Sequence, residues 1–162
     1  MTALALALSY TERFIPLQLL VPLPGIKLGL ANIVTLVVLY RLRPRHAFAV
    51  LLPRCILGAV FGGGITGLLF SLTGGILALL TMAAAKKSRM FSVYGVSILG
   101  AAAHNVGQIL FAMVLMRSVY VAAYLPWLLL AALVTGLLTG TAGAGVLHAL
   151  QYATVFSKET SR

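Results

Sequence analysis

The fold turns on residues 46–85, HAFAVLLPRCILGAVFGGGITGLLFSLTGGILALLTMAAA, which lie between one basic turn (Arg41, Arg43, Arg45) and another (Lys86, Lys87, Arg89). As a single helix this stretch would measure about 60 Å, twice the roughly 30 Å hydrocarbon thickness of a bilayer, so it must fold back once. Charge leads to the same expectation by a separate route. The two basic turns can share the cytoplasmic side only if an even number of crossings separates them. Gly62–Gly64 and Thr73–Gly75 both suit the reversal. The reading favours Thr73–Gly75, because Gly63 and Gly67 stand at the spacing of a helix-packing pair.

Working outward, the chain has 162 residues, 61% of them apolar and 9% charged, with mean hydropathy +1.07. A soluble domain runs nearer ~45–50% apolar and ~25% charged. A first apolar run covers residues 1–15 and stops at Pro16, and Pro22 and Pro24 stiffen the loop that follows. Further runs cover residues 27–41, 91–116 and 122–152. The expectation is an all-α integral membrane protein, a compact bundle of about six transmembrane helices. Residues 1–156 form one domain and residues 157–162 a polar tail. The first run has no basic leader, so it reads as a retained helix rather than a cleaved signal.

Charge sets the orientation. There are 12 Lys and Arg against 2 acids, Glu12 and Glu159, and residues 13–158 carry no carboxylate side chain. Six crossings place Arg41, Arg43, Arg45, Lys86, Lys87, Arg89, Lys158 and Arg162 on the cytoplasmic side of a cell membrane with both termini. Arg13, Lys27 and Arg117 remain outside, and Arg54 falls within a helix behind a kinking Pro53. Tyr120, Tyr124 and Trp127 mark the outer interface. The missing acids exclude paired-carboxylate hydrolysis, Asp-held Mg²⁺ sites and Ser-His-Asp triads. There is no P-loop, no metal-ligand spacing and no cofactor motif. The basic residues punctuate apolar runs, which speaks for membrane topology and against nucleic acid. Cys55 reads as a small packed core residue.

Small residues recur at Ala132, Gly136, Gly140 and Ala144, and at Ala3 and Ala7. Each stripe reads as internal helix packing or as a docking surface for another membrane subunit, the latter suiting Ala3 and Ala7 better. Polar groups inside lipid are costly and mark functional candidates. The densest set is His104, Asn105 and Gln108, with Ser97 on the same face and Gly100 and Gly107 leaving room for a ligand or a neighbouring backbone. A neutral imidazole with two carboxamides can orient a polar head group. The alternative is a hydrogen-bonded clasp between helices. A second set, Lys27 and Asn32 with Glu12, Arg13 and Arg54, lies near a loop whose Pro24, Gly25 and Gly29 would let it close over a pocket mouth. A salt bridge from Glu12 to Arg13, Lys27 or Arg54 leaves at least one cation for an anionic ligand.

Three segments then carry a resemblance: Pro24-Gly-Ile-Lys-Leu-Gly-Leu-Ala-Asn-Ile-Val-Thr-Leu36, Ser71-Leu-Thr-Gly-Gly75 and Gly100-Ala-Ala-Ala-His-Asn-Val-Gly-Gln108. Together they resemble the Gx transporter family, also catalogued as heptaprenyl diphosphate synthase component I. That family is similar to the substrate-binding S components of energy-coupling factor (ECF) transporters. The resemblance implies a six-helix binding subunit that captures a small molecule from outside, working with a coupling subunit and ATPases. Ala3 and Ala7 would dock the coupling subunit, and the loop at 23–29 would gate the pocket. Prenyl transfer resembles other aspartate-rich, Mg²⁺-dependent chemistry, and a chain without Asp fits only a noncatalytic helper in it. An anionic or isoprenoid-related cargo would suit a cationic mouth above an apolar pocket. The second reading is an accessory subunit of polyprenyl diphosphate or quinone synthesis.

Overall fold

The computed structural model describes Ala7 and residues 32–159, with side-chain burial through residue 151 except at 62 and 63. These residues form helices α1 (Asn32–Arg41), α2 (Pro44–Gly58), α3 (Gly64–Ser88), α4 (Val93–Met116) and α5 (Leu125–Glu159). A π-helical turn, Ala59–Gly63, joins α2 to α3, and a 3₁₀ segment, Val119–Tyr124, leads into α5. Four of the helical stretches are long and apolar enough to cross a bilayer, and α1 is a shorter apolar helix. Of the first expected crossing, residues 1–15, only Ala7 is described, and of the second, residues 27–41, only Asn32–Arg41, so the described residues show four spans and one shorter helix where six crossings were expected.

The reversal within residues 46–85 falls at Gly64 and not at Thr73–Gly75. The helix ladder first loosens into the π turn. Gly64 then takes φ 59° and ψ −175°, a backbone state that side-chain-bearing residues rarely adopt. Helix α3 runs unbroken through Thr73–Gly75. There Thr73 folds its hydroxyl back onto the carbonyls of Leu69 (2.8 Å) and Phe70 (3.2 Å). The two glycines are packing positions: a Cβ at Gly75 would lie 2.6 Å from Leu51 Cδ1 of α2. Gly67 is buried, and among the described residues nothing lies within 4 Å of a Cβ built there.

The hairpin of α2 and α3 brings the two basic turns to one end of the bundle. Lys86 Nζ donates to the Leu39 carbonyl at 2.6 Å and stands 5.0 Å from the centre of the Tyr40 ring. The charge therefore satisfies an orphan carbonyl at the C-terminus of α1, where the helix dipole also favours a cation. Ser92 starts α4 by accepting from Gly95 N at 3.3 Å. Arg117 ends it in the left-handed region, where Ser118 N donates to the Met113 carbonyl at 3.2 Å. The last expected helix, residues 122–152, proves to be two pieces, with Pro126 in the first turn of α5 where its missing N–H costs nothing.

Helix α1 sits at the centre. Among the described residues it alone packs against all four other helices, and Val34 through Leu39 are all buried. The outside of the bundle is apolar: Ile65, Leu80, Leu110, Val114, Leu130 and Leu138 are all exposed. In water such a surface would drive aggregation, whereas in lipid it is the natural contact. The stripe on α5 packs inward. A Cβ at Gly136 would lie 2.6 Å from Ile98 Cα, and one at Gly140 would lie 3.2 Å from Tyr94 Cα. Close backbone approach between α4 and α5 therefore explains those residues.

Candidate functional site

Two apolar clusters divide the interior. One, nearer the basic end, includes Leu39, Leu51, Cys55, Ala78, Met82 and Val96. The other includes Phe70, Ile109, Ala112, Val121 and Leu128, with Phe70 and Phe111 in an edge-to-face contact at 4.9 Å and 85°. Along α3 and α4 the residues between the clusters are small or polar: Ser71, Gly74 and Gly75 on α3, and His104, Asn105 and Gln108 on α4. Asn32 of α1 and Arg54 of α2 complete the polar set.

Helix rise puts three of these groups at one depth. Counted from the basic end of each helix at about 1.5 Å per residue, Asn32 is about 14 Å in, Arg54 about 15 Å and His104 about 17 Å, with Gln108 deeper at about 22 Å. Half of a roughly 30 Å hydrocarbon layer is about 15 Å. An imidazole, a guanidinium and the Asn32 carboxamide thus lie about half such a thickness from the basic end. All are buried: Asn32 is 5% exposed, Arg54 4%, His104 3%, Asn105 3% and Gln108 0%.

Adjacent glycines organise the layer. A Cβ at Gly74 would lie 2.9 Å from the His104 ring, and one at Gly75 would lie 3.3 Å from an Arg54 guanidinium nitrogen. His104 and Arg54 therefore reach α3 at neighbouring positions, one from α4 and the other from α2. Gly107 is covered by the α3 backbone, since its Cβ would lie 2.7 Å from the Thr73 carbonyl oxygen, and Gly100 is covered by Met82 at 2.6 Å. Of the two expected occupants of that space, the neighbouring helix fills it.

Part of the layer is a clasp. Asn105 Nδ2 donates to the Leu128 carbonyl at 2.7 Å and so ties α4 to α5. Thr139 Oγ1 donates to the Gly136 carbonyl at 3.2 Å, which leaves Ser97 to donate to Thr139 across 2.7 Å. The remainder has unspent capacity. Among the described residues, both polar atoms of the Asn32 side chain and Oδ1 of Asn105 have no hydrogen-bond partner. Buried polar atoms in native proteins nearly always have one, and each exception asks for a reason.

Arg54 poses the same question in charge. Neither α1, α2, α3 nor α4 contains an acid, because residues 13–158 hold no carboxylate side chain. Glu12, the upstream acid, lies outside the described residues, as do Arg13, Lys27, Pro24, Gly25, Gly29 and Ala3. Ala7 is described and is helical and exposed. Among the described residues no group of three metal-ligating side chains exists. Among the described residues the layer offers N–H donors, carboxamide acceptors, a hydroxyl, an imidazole and one buried guanidinium.

The close glycine contacts at positions 74 and 75, and the fastening of Lys86 to α1, were not anticipated from sequence. A Gly-Gly pair opposite a Gly-containing polar helix was the available signal for the first. For the second nothing in the sequence sets Lys86 apart from Lys87.

Comparison with known proteins gives one assignment. Residues 1–146 match the family described as heptaprenyl diphosphate synthase component I. No curated protein and no solved structure matches the chain.

Proposed function

Because this chain belongs to the heptaprenyl diphosphate synthase component I family, we propose that it is the membrane-embedded, substrate-binding subunit of an ECF-type uptake transporter, resembling an S component. It is a component and not an enzyme in its own right. The observation that carries the reading is the buried layer near mid-membrane. Arg54 is buried there with no acid on any helix from α1 to α4, and the layer also holds carboxamide atoms, those of Asn32 and Oδ1 of Asn105, that have no hydrogen-bond partner. An uncompensated buried cation costs several kcal/mol, and a bound anion removes most of that cost. The cargo class is an anionic or isoprenoid-related small molecule. Asn32, Arg54, His104, Asn105 and Gln108 contact it, and Lys27 in the loop carrying Pro24, Gly25 and Gly29 closes over it.

In this reading the basic end faces the cytoplasm by the positive-inside bias, and the helix expected over residues 1–15 completes the bundle. Ala3 and Ala7 face the coupling subunit. Native mass spectrometry of the detergent-purified protein tests the cargo. A retained anionic small molecule supports the reading, and retention of a neutral or cationic vitamin without any anionic amphiphile defeats it.

The family to which the chain belongs favours a second reading, a noncatalytic membrane accessory of polyprenyl diphosphate or quinone synthesis. Affinity capture separates the two. ECF ATPases and a coupling subunit accompany the chain in the first, and a soluble aspartate-rich prenyl synthase in the second.

A further inference from the structure

We propose that the groove at the basic end of the bundle binds the phosphate-bearing head group of an anionic membrane amphiphile, whose tail lies along the outer face of α3. The groove has a volume of about 560 Å³. Leu39, Pro44 and Ala84 give it apolar walls, and Lys86, Lys87 and Arg89 give it its charge. Positive-inside bias accounts for cations at this end. It does not account for a concave site with an apolar lining set between them.

Three features make the groove specific. Lys86 is held in place by the Leu39 carbonyl at 2.6 Å and by the Tyr40 ring, so its charge is fixed while further N–H donors remain. Lys87 and Arg89 are exposed, and Pro44 places the turn carrying Arg43 and Arg45 against the same groove. No carboxylate between residues 13 and 158 competes for these cations. Basic pockets between membrane helices are the recurrent site for acidic head groups.

The tail has a track. Leu69, Ile76 and Leu80 are exposed on α3 at 39%, 37% and 61%, and their spacing continues to Ala84 at the groove. Residues seven, eleven and fifteen positions along a helix from a given one share its face. A chain leaving the groove along this strip stays in hydrocarbon, which favours a lipid head group over a free phosphate. None of these residues belongs to the mid-membrane layer, so the proposal stands independently of the transport reading.

The test is native mass spectrometry of the full chain in detergent with phosphatidylglycerol, phosphatidylcholine of the same acyl chains, and inorganic diphosphate. Phosphatidylglycerol should be retained at least tenfold over phosphatidylcholine. Retention should fall at least tenfold in the double variant Lys87→Gln/Arg89→Gln, whose exposed side chains leave the packing intact by circular dichroism. Ala84→Trp keeps every charge but fills the groove, and should lower retention as well; if it misfolds, the double variant decides alone. Equal retention by the wild type and the double variant overturns the proposal. So does displacement of the lipid by an equal concentration of inorganic diphosphate, which would show that the tail contributes nothing.

Discussion

His104 lies directly against Gly74: a methyl group at position 74 would stand 2.9 Å from Cε1 and Nδ1 of the imidazole and 2.9 Å from the His104 carbonyl oxygen. The ring could turn away from such a methyl group, but the carbonyl belongs to the α4 backbone and could not. Gly74→Ala should therefore force α3 and α4 apart and cost about 1–3 kcal/mol, the usual penalty of overpacking. Gly145→Ala is the control. Gly145 is exposed on α5, with nothing among the described residues within 4 Å of a Cβ built there, so the change should be neutral or stabilising by up to about 1 kcal/mol, because Ala is the better helix former. Thermal unfolding in detergent checks both, and equal effects at the two positions would contradict the packing described.

Arg54 should matter more to the ligand than to the fold. Arg54→Gln removes a buried charge, so stability should hold or rise while retention of the anionic ligand falls at least tenfold, or about 1.4 kcal/mol. Arg54→Lys keeps the charge and should keep part of the binding. If Arg54→Gln and Glu12→Gln each destabilise by about 3–5 kcal/mol, the arginine serves an ion pair instead.

The Ser97–Thr139 contact should be modest in energy. A double-mutant cycle with Ser97→Ala and Thr139→Val is expected to give a coupling of about 0.6 kcal/mol, and no more than about 1.7. A coupling near zero would mean that the 2.7 Å approach of the two hydroxyls carries no hydrogen bond in the membrane.

Reversal at Gly64 fixes which loops share a side. In a Cys55→Ala background, single cysteines at Arg43 and Arg89 should be labelled by an impermeant maleimide from the same face of the membrane, and one at Arg117 from the opposite face. Labelling of positions 43 and 89 from different faces would refute the α2–α3 hairpin.

The sequence was most legible where the bilayer imposes its own arithmetic. Residues 46–85 are too long to cross once, and the shared end of the two basic turns followed from charge parity before Lys86 was seen bonded to Leu39. It was least legible in its glycines. Gly64 and Gly74 are the same residue type in similar apolar surroundings, yet one bends the chain and the other admits a neighbouring helix. Only the partner across the interface distinguishes these roles, and a one-dimensional string does not carry it. The candidate layer was half legible. His104, Asn105, Gln108, Asn32 and Arg54 are conspicuous as polar residues in an apolar chain, but that all five are buried, and that Asn32, Arg54 and His104 share a depth, emerges only when the helices are set side by side.

The central place of α1 bears on how the protein is made. Among the described residues, the helices that enclose Val34 through Leu39 all come later in the chain, the last of them beginning at Leu125. A nascent chain with α1 already in the membrane must keep that helix waiting while some 85 further residues emerge, several seconds at ordinary rates of synthesis. A truncation within α5 would therefore open a gap at the centre of the molecule and not at its edge. Membrane proteases and insertion chaperones would meet an incomplete chain as one with an unclad axle.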